Sequence, residues 1–398
     1  MQVHSDICVI GDGVIGKTAA LGFAQAGLKV TLLSPAAAQS FALKDAPWDV
    51  RVYAVNHVAH ALLSSIKVWD ALDASRIAAV DSMAVKGDGA RMPGALQFDA
   101  YGARVGTLAW IVEDRNLNQA LDAALKFASN VRVVYGRADK LEADDAGTNV
   151  QLDNGDNLRA ALVVGADGGQ SWVRTQSGID IDYRPYGQRA LVANFSCEKP
   201  HHGIAYQWFS AAEGVIALLP LPGECVSLVW SAPDALAETL LQESAEQLAA
   251  RVTALTAQQV GTLTPLGPET VKSFPLALIR PHALTASRVA LIGDAAHVIH
   301  PLAGHGMNLG FADVAALIKA VVERGAHRDC GDARVLARYT RSRKEDILLM
   351  QLATDGLARL FSTDVEPLRF ARNLGMNLVD RLPGLKRRLI GHALGKTL

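Results

Sequence analysis

Three short runs of residues carry the chemistry available to this sequence. The first, Gly11-Asp12-Gly13-Val14-Ile15-Gly16, follows an apolar stretch and opens a run of helical composition. Gly11 allows a tight turn, Gly13 lets backbone approach a pyrophosphate, and Gly16 lets a helix press against a strand. The free N–H groups at the helix start then hold the anion. The pattern reads as a dinucleotide site without separating one dinucleotide from another, the bare alternative being a glycine turn with no ligand. At the end of the second strand, where an acid is expected to hold ribose hydroxyls, the residue is Ser34. Serine keeps one hydrogen bond but loses a charge-assisted, two-pronged contact. Asp12 places a carboxylate inside an anion-binding loop, so it is expected to point away from the phosphates. Loose cofactor binding is the combined expectation.

The second run, from Val163 to Arg174, contains Gly165-Ala166-Asp167-Gly168 between a strand and a helix. Asp167 is placed to cap N–H groups at that helix start, and Arg174 to pair with it or to reach a phosphate. The third, Gly293-Asp294-Ala295-Ala296-His297 continuing through His300-Pro301 to Asn308, is the most informative. An acid directly after a buried strand can bind a ribityl or ribose hydroxyl. The loop 301–306 then delivers a helix beginning near Met307, whose start, aimed at the pyrimidine edge of a flavin, would stabilise negative charge developing there. Three histidines invite a metal reading, but no firm helix and no nearby acid or cysteine completes a ligand set. A buried, hydrogen-bonded side chain is the plain reading of His297, whereas His300 beside a flavin is the sharper one.

The elements around these runs follow from periodicity. Residues 5–10 and 28–33 are expected as strands flanking a helix over 17–26, and such a helical crossover implies a parallel sheet. Further on, the pattern predicts a helix over 116–127, strands at 131–135, 150–152 and 162–165, and a strand at 288–292 leading to a helix over 308–324. Short β-rich runs at 191–196, 204–210, 215–219 and 225–230 suggest a mostly antiparallel sheet inserted as a second unit. Residues 238–256 are expected to be helical. The tail from 336 is helical and amphipathic, and from 369 on it carries seven cations against the single acid Asp380.

Composition narrows the classes. The chain has 398 residues, of which 50% are hydrophobic and 20% charged, which allows two or three domains with a substantial core. A formal net charge of -1 gives no electrostatic case for nucleic-acid binding. Cys8, Cys197, Cys225 and Cys330 are widely separated, against a disulfide framework or structural zinc and in favour of a reducing compartment. No signal peptide or membrane-spanning run is evident, so a cytoplasmic location is expected, with any membrane contact peripheral on the inner face.

Taken in this order, the three runs resemble the aromatic hydroxylases of the para-hydroxybenzoate hydroxylase fold. The wording is closer still to the FAD-dependent monooxygenases of ubiquinone biosynthesis, nearly from end to end. Arg51-Val52-Tyr53-Ala54, Ile111-Val112-Glu113-Asp114-Arg115, Tyr186 to Ala193, Gln207-Trp208-Phe209, Ala217 to Leu221, and Asn308-Leu309-Gly310 with Asp313 all match. Departures are Ser34, His305 where the family has Gln, and the stretch 76–100. The resemblance implies an α/β fold: a Rossmann-like FAD-binding domain with an inserted antiparallel substrate domain and a helical C-terminal tail. It assigns 1–75, 105–180 and 276–335 to the FAD-binding domain, 76–104 and 181–275 to the substrate domain, and 336–398 to the C-terminal helices. FAD would be contacted by Gly11, Gly13, Gly16, Ser34, Arg51, Arg115, Asp167, Asp294, Gly304, Gly306, Met307 and Asn308. His300 and Pro301 are the candidate catalytic pair, positioned on the flavin side.

An FAD hydroxylase that draws on NADPH or NADH and molecular oxygen needs little acid–base machinery from the protein, which excludes water and orients the ring. The window 203–231 contains neither Lys nor Arg, so a carboxylate-bearing ring would lack a counter-charge there. Trp208, Leu219 and Leu221 are the expected apolar wall for a neutral, prenylated phenol or benzoquinol, a demethoxyubiquinol being the narrower option. The alternative for each is plain sheet core. The basic, Leu-rich tail fits a peripheral helix on an anionic bilayer or a quinone-biosynthesis complex, or equally a helix docked on the body. The competing functions are another flavin aromatic hydroxylase and a non-catalytic scaffold that keeps the fold.

Overall fold

The computed structural model describes residues 2–36, 46–88, 93–267, 271–361, 363, 365–382, 384 and 386. Gln2–Ile10 forms the central strand of a sheet, because Ile7 to Ile10 is an apolar run fully covered on both faces. It pairs in parallel with Val30–Ser34 on one side and Asn157–Gly165 on the other. Val131–Tyr135 and Val289–Leu291 extend the sheet outward, again in parallel. The antiparallel hairpin Ala138–Asp144 and Gly147–Leu152 attaches to Asn157–Gly165. The helices Val14–Gln25, Asp114–Phe127 and His305–Val322 contribute buried side chains to the same core.

A second sheet is antiparallel over most of its width. Its longest member, Ile181–Cys197, lies between Cys225–Pro233 and both Lys272–Pro281 and Leu263–Pro265. Gly214–Leu221 and Ile204–Ser210 continue it, and Ser82–Gly87 joins in parallel, followed by Ala95–Asp99. Between the two sheets lies a small third one, in which Ala109–Glu113 pairs with Val52–Val55 and Ile77–Val80. The stretch 76–104 thus divides between the third sheet and the second.

Three expectations about elements need correction. The helix expected over 238–256 is two helices, Asp234–Leu240 and Ala245–Leu255, separated by Ser244, which forms a reciprocal capping box with Gln247. The helix expected from 308 begins at His305, because Gly304 adopts φ +66° and turns the chain into it. The tail is not uniformly basic on its surface. Helix Glu366–Asp380 docks through its polar side: Arg372 is buried and bonded to the Asp88 carboxylate, and Asn373 Nδ2 donates to Asp88 O at 2.6 Å. Asn377 and Asp380 accept from the backbone of Ala95 and Gln97. Phe370, Leu374, Leu378 and Leu382, spaced by four, are left about half exposed. The final basic stretch with Arg387, Arg388 and Lys396 lies outside the described residues.

Asp88→Ala removes the anchor of that helix, a charge-assisted contact worth about 1.5–3 kcal/mol. We expect limited proteolysis C-terminal to Phe361 to accelerate several-fold while the main thermal transition moves by only a few degrees. Loss of the whole fold in one step would contradict this division of stability.

Candidate active site

A cavity of about 630 Å³ runs along the C-terminal ends of the parallel strands, within the size range of small-molecule and cofactor sites. One end is lined by Asp12, Leu33, Pro35, Gly136, Arg137 and Ala138, and the other includes Arg51, Tyr53, Asp294, Gly306 and Met307. This is where ligands bind in open parallel sheets, just beyond the strand ends.

The glycine loop is built by steric demands. Gly11 has φ +114°, and a Cβ there would meet Ala166 O at 2.3 Å. At Gly16 a Cβ would lie 1.9 Å from Gly11 O, so the helix and the loop touch backbone to backbone. A Cβ on Gly13 would instead meet nothing within 4 Å; its bare backbone faces open cavity. The second helix start behaves alike: Gly306 lines the cavity and has open space where a side chain would be. Asn308 does not line it. Its Nδ2 donates to Ala54 O at 2.7 Å and its Oδ1 accepts from Asn56 N at 2.9 Å, which ties this helix to the strand next to Arg51.

Four carboxylates line the cavity, and three have protein donors. Asp12 Oδ2 accepts from Ser34 Oγ at 2.6 Å, and Asp114 Oδ1 from Tyr53 OH at 2.7 Å. Asp167 accepts from Ser171 Oγ at 2.6 Å and Val173 N at 3.0 Å. Asp294 has no hydrogen-bond partner among the described residues. Its side chain opens onto the cavity while protein packs round it on most sides. Burial therefore raises its carboxyl above the usual range, opposed by His297 and Arg51. An acid with free oxygens, facing an open slot, is suited to accept sugar or polyol hydroxyls.

Behind Asp294 lies a fully buried charge cluster. Asp313 accepts from Gly293 N at 3.0 Å, from His297 Nε2 at 2.6 Å and from Arg343 Nε at 2.8 Å. Burial pushes the Asp313 carboxyl up, but His297 and Arg343 outweigh it and hold it below the ordinary range. Among the described residues no three His, Cys, Asp or Glu side chains converge as a metal site. Arg174 departs from expectation: it makes no ion pair with Asp167 but donates to Ala295 O and Gly169 O, stitching the second motif to the third.

His300 is 1% exposed and lies outside the cavity lining, at the border with the second sheet. Its Nε2 pairs with Gln188 Oε1 at 2.9 Å, its ring meets Tyr186 edge-on at 4.9 Å, and its Nδ1 is without a partner. Burial lowers its pKa to about 4, so the imidazole is neutral at pH 7.

Of the expected contact residues, Gly11, Gly13, Arg51, Asp167, Asp294, Gly306 and Met307 line the cavity. Gly16, Ser34, Arg115, Gly304, Asn308 and Pro301 do not; Arg115 donates to Pro47 O, and Gly304 packs toward Ala54. The expected apolar wall is split. Leu219 and Leu221 cluster with Val52 and Ala54 of the third sheet and do not line the cavity, whereas Trp208 packs with Tyr206 among the side chains under the helices Asp234–Leu240 and Ala245–Leu255. Alternation along the strand forces this, since Gln207 and Phe209 take the opposite face, Phe209 against Phe361. Lys86, from a neighbouring strand, also brings a cation 5.9 Å from the Trp208 ring. Sequence reading missed Tyr53, Asp114 and Arg137 in the lining, and Gln188 and Tyr186 around His300. Of these, Tyr53, Asp114, Tyr186 and Gln188 sit inside matched motifs, but nothing local marks Arg137.

A family profile described as an FAD binding domain matches residues 4–348. The chain is 36% identical over 395 residues to the ubiquinone hydroxylase UbiL of Rhodospirillum rubrum, spanning 98% of this chain and 90% of that one. It is 35% identical over 396 residues to the 3-demethoxyubiquinol 3-hydroxylase of Escherichia coli, spanning 98% of each. Among solved structures, the probable FAD-dependent monooxygenase PqsL of Pseudomonas aeruginosa superposes with a TM-score of 0.76 at 23% identity, covering 94% of this chain and 100% of that one. The backbone left bare at Gly13 and Gly306, and the free acid at Asp294, fit FAD: amides for its charged groups and an acceptor for its hydroxyls.

The His300 environment predicts an acid-sensitive stability. In the unfolded chain its imidazole takes up a proton near pH 6.5, but in the folded protein only near pH 4. Protons therefore favour the unfolded state as pH falls through that window, and the effect ends below the folded value. We expect His300→Gln to abolish about 2 kcal/mol of the stability lost between pH 7 and pH 4.5. Parallel pH profiles of urea denaturation for the two proteins would disprove this.

Proposed function

Because this chain belongs to the FAD-dependent aromatic-ring hydroxylases of ubiquinone biosynthesis, we propose that it hydroxylates the ring of a polyprenylated phenol or benzoquinol. The observation that carries the substrate class is the face that the second sheet turns to the small third sheet. It offers Ala205, Leu219 and Leu221, and beside them Asn194 Oδ1 and Ser227 Oγ, two buried neutral atoms without partners. Neutral acceptors and donors suit a phenol hydroxyl or a methoxy oxygen, whereas a benzoate would leave its charge unpaired. A demethoxyubiquinol is the narrower reading, in keeping with the relative of that activity.

FAD, reduced by NADPH or NADH, supplies the oxygen activation; the chain supplies binding, orientation and dryness. The amides around Gly11 and Gly13 would take the pyrophosphate, and those at Gly306 and Met307 the pyrimidine edge of the ring system. Asp294 would accept from the ribityl chain, with Arg51 beside it. His300, neutral and buried at the border with the second sheet, would act as a positioning residue on the flavin side, with Gln188 fixing its tautomer.

The half-exposed row Phe370, Leu374, Leu378 and Leu382 supports contact with an anionic bilayer. Polar groups of that helix face the protein and apolar ones face out, the reverse of a helix meant for water. Arg381 and Lys386 border the row, and Arg387, Arg388 and Lys396 follow in sequence. A substrate with a prenyl tail resides in such a bilayer.

Two experiments test these readings. With FAD-loaded protein, a short-chain prenylated phenol is expected to accelerate both NAD(P)H oxidation and oxygen uptake and to yield a product heavier by one oxygen. Stimulation by a benzoate and none by the prenylated ring would overturn the substrate class. With phosphatidylglycerol vesicles, the protein is expected to co-sediment, and Leu374→Glu with Leu378→Glu to release it. If it stays in the supernatant, and light scattering finds a dimer that the same substitutions dissolve, the row is an interface between copies instead.

A further inference from the structure

At the end of the second strand, folds of this kind place an acid that grips the ribose hydroxyls of the adenosine half. Here the strand ends at Ser34, whose hydroxyl is buried and does not line the cavity. Its Oγ lies 2.6 Å from Asp12 Oδ2 and 2.6 Å from Ala36 O. A serine so engaged has no free proton for a ligand. Asp12 does line the cavity, and its Oδ1 has no hydrogen-bond partner among the described residues. The turn at Gly11 brings residue 12 over the strand end, so the carboxylate reaches the place that a strand-end acid would fill.

The surroundings match an adenosine. Leu33, Pro35 and Ala138 give apolar walls for a base, Gly136 N is bonded to Ser34 O at the floor, and Arg137 is the nearby cation. Gly13, next in the loop, keeps bare backbone toward the pyrophosphate, so the acid and the anion are served by adjacent residues pointing different ways.

We infer that Asp12 is the ribose-binding acid of this FAD site and that Ser34 is its positioning residue: the carboxylate has moved from the strand to the glycine loop. One oxygen is held by Ser34, and the other accepts from the ribose diol. The acid is therefore an asset for the cofactor and not an intruder beside its phosphates. The inference depends on FAD and not on the substrate proposed above.

The test uses full-length protein stripped of FAD, with ADP and 2′-deoxy-ADP as probes competing against FAD fluorescence quenching. The wild type is expected to prefer ADP, and Asp12→Gly to lose the preference while its FAD affinity falls roughly ten- to hundredfold, the range for one hydrogen bond to a charged group. The double substitution Asp12→Gly with Ser34→Glu restores both, because it returns the acid to the strand. Ser34→Glu alone weakens binding, since two carboxylates then crowd one place. Should Asp12→Gly not fold, Asp12→Asn keeps the shape and is read in the same way. An unchanged ADP preference, tighter FAD binding on removing the acid, or a double variant no better than the single one would overturn the inference.

Discussion

A carboxylate without any solvent contact has to be matched by donors, and Asp313 fixes the site because it is matched by three. Taking such a charge out of water costs several kcal/mol even after relaxation. It persists because Gly293 N, His297 and Arg343 surround it. Those donors come from the turn after the strand Val289–Leu291, from the loop beyond it, and from the long helix Ala333–Phe361. Asp313 itself stands on helix His305–Val322, whose first turn holds Asn308 against the strand Val52–Val55. One helix thereby sets both the wall that carries Asp294 and the wall that carries Arg51 and Tyr53. Loosening Asp313 would move the two walls independently.

The second sheet meets this frame with one face only. Leu219 and Leu221 share a cluster with Val52, Ala54, Ile111 and Val80, so the small third sheet forms the joint between the two large ones. The opposite face, with Trp230, Leu218 and Tyr206, is closed by the helices Asp234–Leu240 and Ala245–Leu255 and serves stability. Alternate residues of each strand therefore face the joint. The intervening residues, Trp208 among them, hold the sheet to its own helices.

How much of this was legible in the sequence depended on distance along the chain. The glycine loop, the Gly-Asp turn and the parallel strands are local patterns with local physics, and they stand where periodicity puts them. The split helix at Ser244 was legible too, through its Ser-x-x-Gln capping box, but helical composition on both sides masked it. Trp208 was misplaced by a single step of alternation, which flips a side chain to the other face. Pairs such as Asn308 with Ala54 and Arg372 with Asp88 join residues more than two hundred positions apart. No local pattern encodes them. The tail shows the limit most clearly: a count of cations read it as a basic surface, but Arg372 is buried and bonded to Asp88.

The charge inside the cavity follows from the same economy of donors. Four carboxylates and two arginines line a slot that suits a dianionic pyrophosphate, an apparent mismatch at close range. Asp114 and Asp167, however, are already bonded to Tyr53, Ser171 and Val173 N, which spreads their charge onto protein donors. Backbone amides at two helix starts border the slot and carry partial positive charge without bringing a mobile cation. Acceptor capacity remains at Asp294, on one oxygen of Asp12 and on one of Asp114, the first two at opposite ends of the slot. A ligand that satisfies this arrangement must carry hydroxyls at both ends and phosphates between them. FAD has that order of groups, with ribityl hydroxyls, pyrophosphate and ribose diol in sequence.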